Sequence, residues 1–263
     1  MAKRGRPAKV KEMVNKSLGE IKIFTGNDLN FKNDLFKVHK TETHLDCILS
    51  SEGGIMPGTN ICLSGGPGSG KTTLCLDLLS NLEMQGKKCL FVSGEMGRIA
   101  YFKYCKRNPK FNHVHTLFLK EYMEDVKPVL EKVFAEGYDV VVVDSMAEVF
   151  GAFTDEYGGT SKTAEKWFLK LQDQHKEGNN KAKKYTSFIN IQQQTKGGNF
   201  AGSNRLSHMH EAMCNISKSK NGVDRKVTFS KNRDGGQEQA VYFQIGSMGV
   251  NYSFEKTDSN DED

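Results

Sequence analysis

Gly65-Gly66-Pro67-Gly68-Ser69-Gly70-Lys71-Thr72 places its glycines, its lysine and its hydroxyl at G-x-x-x-x-G-K-[ST] spacing. Asn60-Ile61-Cys62-Leu63 before it reads as a short buried strand. Thr73 to Leu82 after it reads as an apolar-faced helix. Glycines at this junction let the backbone close round a triphosphate, N–H groups inward, with the positive end of the helix dipole behind them. Lys71 is placed to reach the β and γ phosphates, Thr72 to ligate Mg²⁺, and Thr73 to complete the cradle. The pattern implies binding of ATP with Mg²⁺.

Other residue types complete such chemistry. Asp144 ends the β-branched run Val140–Val143, where a strand-end carboxylate can hold the water shell of Mg²⁺; its other reading is a cap on a helix starting at Ser145. Glu95, in Ser93-Gly94-Glu95-Met96, follows another predicted strand and can polarise an attacking water; its other reading is a helix-start acid. Gln192, Gln193 and Gln194 end a third strand, and Gln193 is placed to sense the γ-phosphate. Residues 195–205 follow as a basic, glycine-rich loop with Lys196, Phe200 and Arg205. Such a loop suits phosphate contacts and base stacking, or is an ordinary solvated connection.

These groups need a framework, and the rest of the chain supplies one. Apolar strands at Lys88–Ser93, Val114–Leu119, Tyr138–Val143 and Thr186–Ile191 alternate with helices through Ala100–Phe102, Tyr122–Glu136 and Ala164–Leu171. That alternation predicts an α/β fold with a mostly parallel sheet flanked by helices. Residues Asn215–Phe254 read as added antiparallel strands, with turns at Lys220-Asn221-Gly222 and Asp234-Gly235-Gly236. At 263 residues the chain can bury one full core, expected over 21–256. Residues 1–20 form a basic arm and 257–263 an acidic tail, both expected to be disordered. The formal charge of +5 permits nucleic-acid binding without requiring it. Six scattered cysteines form no C-x-x-C pair, which argues against a zinc module or disulfide framework and suits a reducing cytosol. No apolar run reaches membrane-spanning length, so a cytoplasmic location is expected, that of the host cell if a phage encodes the chain. His113/His115 and His208/His210 lack partners at metal spacing and are read as structural.

Together these motifs resemble the RecA-like P-loop ATPases, in the branch that contains RadA, KaiC and the DnaB-type helicases. The resemblance covers roughly residues 40–250. Leu45-Asp46 with Gly53-Gly54-Ile55-Met56-Pro57-Gly58 resembles the entry to that group's phosphate loop, and Val143-Asp144-Ser145 its Walker-B ending. Val92-Ser93-Gly94-Glu95 resembles the RadA segment carrying the catalytic glutamate, with Met96 replacing a second acid. Thr195-Lys196, Ala201-Gly202 and Leu206-Ser207-His208-Met209 resemble RadA's DNA loop, departing at Ser203 and Ser207. Lys231-Asn232-Arg233 resembles the RadA K-N-R signature, with Asp234 in place of an aromatic. The resemblance implies that Lys231 and Arg233 enter a neighbouring subunit's ATP site, so a homo-oligomeric ring or filament is expected. The other reading is a surface pair on an edge strand. RadA's four-cysteine module and C-terminal domain have no expected counterpart, and the layout is similar to compact phage recombinases and single-strand annealing proteins.

Lys3-Arg4-Gly5-Arg6-Pro7 is close to a minor-groove hook, with Arg4 and Arg6 as its cations, or is a general phosphate-attracting arm. The reading favoured by the whole is a DNA-stimulated ATP hydrolase acting on single-stranded DNA in recombination, annealing or repair. A helicase or branch-migration motor is one alternative. A KaiC-like signalling or nucleotide-gated scaffold ATPase without DNA is the other.

Overall fold

The structure is a computed structural model that describes residues 23–194, 204–220, 222–236, 238–246 and 249–256. It divides into two compact units, Met1–Lys32 and Asn33–Asp263. Within the described part of the first, a 3-10 turn spans Gly26–Asp28, and the Thr25 hydroxyl donates to Asp28 Oδ2 at 2.7 Å.

In the second unit, nine strands among the described residues form one sheet in the order β3-β2-β4-β5-β1-β6-β7-β8-β9. Strands β1 (Asn60–Gly65), β2 (Cys89–Ser93), β3 (Thr116–Phe118), β4 (Val140–Asp144), β5 (Ser187–Gln193) and β6 (Ala212–Lys218) run parallel. Strands β7 (Arg225–Asn232), β8 (Val241–Gly246) and β9 (Gly249–Ser253) extend the sheet antiparallel. The helices are α1 (Asp46–Leu49), α2 (Lys71–Met84), α3 (Arg98–Arg107), α4 (Val126–Phe134), α5 (Met146–Tyr157), α6 (Ser161–Lys176) and α7 (Asn204–Met209). A mostly parallel sheet with antiparallel strands at its C-terminal side is what the alternation predicted.

Two cores sandwich the sheet. Val140 and Val142 face one, packed with Leu74, Leu78, Phe91 and Ile189 beneath α2. Val141 and Val143 face the other, packed with Phe134, Phe150, Phe168 and Phe188 beneath α4, α5 and α6. Alternation along an all-apolar strand therefore serves both layers, as a central parallel strand requires.

Some boundaries differ from the sequence expectation for physical reasons. The helix expected from Tyr122 starts at Val126, because Pro128 is tolerated only in a first turn. Leu119–Tyr122 instead makes a 3-10 turn. The strand expected over Val114–Leu119 shrinks to Thr116–Phe118, since this edge strand pairs with β2 alone and β2 stops at Ser93. Arg205, expected in a loop, lies in α7.

Candidate nucleotide and catalytic site

Parallel strands bring their C-terminal ends to one edge of the sheet, where α/β folds form their ligand crevice. Register makes this specific: Gly65 lies opposite Gln193, and Ser93 opposite Asp144. The phosphate loop leaves β1 and turns into α2 at Gly70, whose φ of 95° no side-chain-bearing residue adopts easily. A Cβ there would also meet Ile245 at 2.9 Å and Arg225 at 3.1 Å. Gly70 brings no capping side chain, so the first N–H groups of α2 remain available to an anion.

Lys71 donates to the carbonyls of Gly65 at 2.8 Å and Gly66 at 3.0 Å, which keeps its ammonium over the loop. Burial pushes this ammonium below its ordinary pKa, while the carboxylates of Asp144 and Glu95 act in the opposite sense. The Thr72 hydroxyl donates to Asp144 Oδ2 at 2.7 Å. A hydroxyl and a carboxylate at this separation are the oxygen donors that a Mg²⁺ site bridging to phosphate uses, so the residues present fit that ion. Burial raises the Asp144 carboxyl to about 6; the Thr72 bond lowers it, Glu95 raises it and Lys71 lowers it. Among the described residues no cluster of three or more His, Cys, Asp or Glu forms a separate metal site.

Glu95 is exposed to the cleft and held from behind by backbone. Gly94 N–H donates to Asp144 O at 2.6 Å, and Glu95 N–H to the same oxygen at 3.2 Å. Gln193 Nε2 donates to Glu95 Oε1 at 2.9 Å. The three glutamines separate by role: Gln192 is buried, and Gln194 turns away to donate to Asn215 Oδ1 at 2.6 Å. The cleft encloses about 330 Å³. Besides the loop, Glu95, Asp144 and Gln193, two residues that sequence reasoning missed line it: Tyr104 of α3 and Ile245 of β8. Tyr104 gives no motif signal, and Ile245 reaches the cleft only through strand pairing far along the chain.

Known proteins share the sequence pattern and the fold. The family described as "ATPase: KaiC" matches residues 40–107. The DNA repair protein RadA of Campylobacter jejuni is 30% identical over 210 residues, 80% of this chain and 44% of that protein. RadA of Mycobacterium tuberculosis is 27% identical over 206 residues, covering 78% and 41%. Among solved structures, a KaiC-like protein of Pyrococcus horikoshii aligns with a TM-score of 0.59 at 16% identity, covering 81% of this chain and 97% of that one. The RadB recombinase aligns at 0.56 with 20% identity, covering 81% and 98%. The chain shares the fold of these RecA-like proteins and is similar in sequence to the RadA/KaiC branch. It spans less than half the length of these RadA relatives.

Within this RecA-like sheet, the Lys231/Arg233 pair sits far from its own phosphate loop. Arg225 opens β7 beside Gly70, and the strand then runs away from the cleft, pairing Lys231 with Met213. Six residues at about 3.4 Å each separate Lys231 from Arg225 by roughly 20 Å. Ser230 is the extra residue of a register shift between Met213 and Cys214, and so turns Lys231 toward α7. There Lys231 Nζ donates to the carbonyls of Ser207 at 2.8 Å and His210 at 2.5 Å. Burial, then the neighbouring Arg233 cation, holds its ammonium below the ordinary value. Arg233 follows the strand with an exposed side chain.

The departures from the RadA pattern have structural uses. Asp234 accepts from the Thr59 hydroxyl at 2.7 Å, pinning the entry to β1, and Met96 packs against the α2-side core. His210 is buried, its ring 2.7 Å from Leu206 O and 3.0 Å from Asn190 Nδ2. His115 lies 2.9 Å from Glu83. Arg4, Arg6, Lys196 and Phe200 fall outside the described residues. No described helix is long and apolar enough to cross a membrane.

Proposed function

We propose that this chain hydrolyses ATP with Mg²⁺ at the junction between identical subunits, and does so on DNA in recombination, single-strand annealing or repair. The observation that carries the reading is the convergence of Lys71, Thr72, Asp144, Glu95 and Gln193 on one cleft. The α2 N-terminus and the loop N–H groups hold the phosphates, and Lys71 places positive charge on the group being transferred. Thr72 and Asp144 would hold Mg²⁺, which would supply neutralisation of phosphate charge. Tyr104 and Ile245 offer an apolar slot for the base. Glu95 accepts a proton from the attacking water, and its Gln193 contact fixes the carboxylate's orientation. Gln193 also ends the strand from which residues 195–203 depart, so a change at the γ-phosphate has a direct route to the segment read as the DNA loop. The position of Lys231 and Arg233 at the opposite end of the sheet supports action in a neighbour over action in their own site. The RadA relatives carry DNA repair in their name, and the motif match to them supports DNA as partner.

The test is the ATPase rate of the full chain with no DNA, with single-stranded DNA and with duplex. Stimulation by single strands is expected. Indifference to both would return the chain to the KaiC-like scaffold class, and directional unwinding would make it a motor.

A further inference from the structure

Asp77 stands on α2, one turn and a half beyond Lys71, and is fully buried. A carboxylate in that position is costly unless both oxygens find donors. Here one oxygen meets a hydrogen-bond donor and the other a cation, from two separate parts of the chain. The Tyr252 hydroxyl of β9 donates to Oδ2 at 2.8 Å, and Lys110 forms an ion pair with Oδ1. Burial, then Asp77 itself, drives the Tyr252 phenol well above its ordinary pKa, so it remains a donor.

Each partner is attached to one wall of the nucleotide cleft. Lys110 belongs to the 3-10 turn Pro109–His113, separated by Asn108 alone from α3, which carries Tyr104. Asn108 N–H donates to Tyr104 O at 2.9 Å, continuing the link. Tyr252 pairs with Phe243 in the β8–β9 ladder, two residues from Ile245. The helix bearing Asp77 begins with the phosphate-gripping residues themselves. One buried carboxylate therefore ties both apolar walls to the element that fixes the phosphates.

We propose that Asp77 is a positioning residue that sets the spacing between the base slot and the phosphate cradle, and through it the preference for a nucleoside triphosphate over a bare polyphosphate. The proposal rests on the nucleotide reading given above. Asp77→Asn removes the charge from a fully buried position that both partners hold and is at risk of unfolding, so its two partners carry the test. Tyr252→Phe and Lys110→Met each release one wall and leave the carboxylate one donor.

Affinities of the full chain for ATP and for inorganic tripolyphosphate, both with Mg²⁺, are measured by calorimetry, with folding followed by circular dichroism. Each folded variant should weaken ATP about tenfold, near 1.4 kcal/mol. Tripolyphosphate affinity should stay within about twofold of the parent, because the cradle precedes Asp77 and neither variant touches it. Parallel losses of both ligands, or unchanged ATP affinity in folded variants, overturn the proposal and leave Asp77 a packing residue. A parent chain that binds neither ligand overturns the nucleotide reading itself, and the proposal with it.

Discussion

The Gln193 amide reaches Glu95 Oε1 at 2.9 Å across the end of an intervening strand. Glu95 follows β2 and Gln193 ends β5, with β4 between them in the sheet. The contact thus bridges the strand that delivers Asp144, and it occupies one carboxylate oxygen while leaving the other for a water. A ligand that draws the amide toward itself would free the carboxylate and move the end of β5 in one event.

Glu95→Gln keeps the shape of this bridge and removes the carboxylate proposed as the base. The variant should bind ATP near parent affinity and lose turnover by about 100-fold or more. Phosphate release under single-turnover conditions, read beside nucleotide affinity, checks it. Weaker binding with unchanged turnover per bound ATP would assign Glu95 to structure instead.

Subunits defective in opposite halves should complement one another. Arg233→Ala spares the phosphate loop, and Lys71→Ala spares the Lys231/Arg233 pair. Each alone should fall by about 100-fold or more in turnover. Mixed assemblies, with mixing confirmed by cross-linking, should recover part of the parent rate. No recovery would place Arg233 outside the reaction.

Acid should loosen the fold through histidines that are buried without charge. Both ring nitrogens of His39 lack partners, and burial pushes its pKa down to about 4; Asp139 pulls it up, while Lys87 and Lys184 push it further down. Burial lowers His175 and His210 as well. The unfolded chain then binds protons that the folded chain refuses. For His39, stability is full above about pH 6.5 and is lost toward pH 4, by up to about 1.4 kcal/mol per pH unit, and His175 and His210 act in the same direction. Asp144 works in the opposite sense, because its raised carboxyl takes up a proton more readily when folded. Urea unfolding at pH 7.5 and pH 5 should show the loss, and His39→Gln should reduce the slope. An equal slope in the variant would remove His39 from the account.

DNA binding should be strongly salt-dependent. Removing residues 1–11 should flatten the dependence of affinity on salt while leaving DNA-free hydrolysis unchanged. Lys196→Ala or Arg205→Ala should cut DNA-stimulated hydrolysis more than the truncation does, since α7 and the preceding segment continue from the Gln193 strand. Full stimulation in both variants at low salt would move the DNA contact elsewhere.

Local chemistry was legible in the sequence wherever one stretch carried both the reactive residue and its support. The phosphate loop, Asp144 and Glu95 each follow a recognisable strand, so placing the strands placed them. Lys231 and Arg233 were legible as two cations spaced two residues apart. Their position at the far end of the sheet was not, because it depends on β7 reversing direction after β6. Tyr104 and Ile245 were hidden for the same reason: their place at the cleft depends on tertiary register. The short α7 carries too little periodicity to stand out from a polar stretch; Leu206 and His210 hold it by burial.

If Lys231 and Arg233 serve a neighbour's cleft as proposed, the two ends of the sheet also fix how copies of this chain can associate. A donor of cations at one end and an acceptor cleft at the other would then give every subunit a head and a tail. A two-fold dimer, which matches one patch with itself, cannot complete both clefts at once. Head-to-tail stacking can, and it either closes into a ring or leaves one unserved cleft at the end of the stack. In an open stack that single idle site is shared among all members, so hydrolysis per subunit climbs with stack length and levels off. The catalytic rate would then report how many copies stand in line.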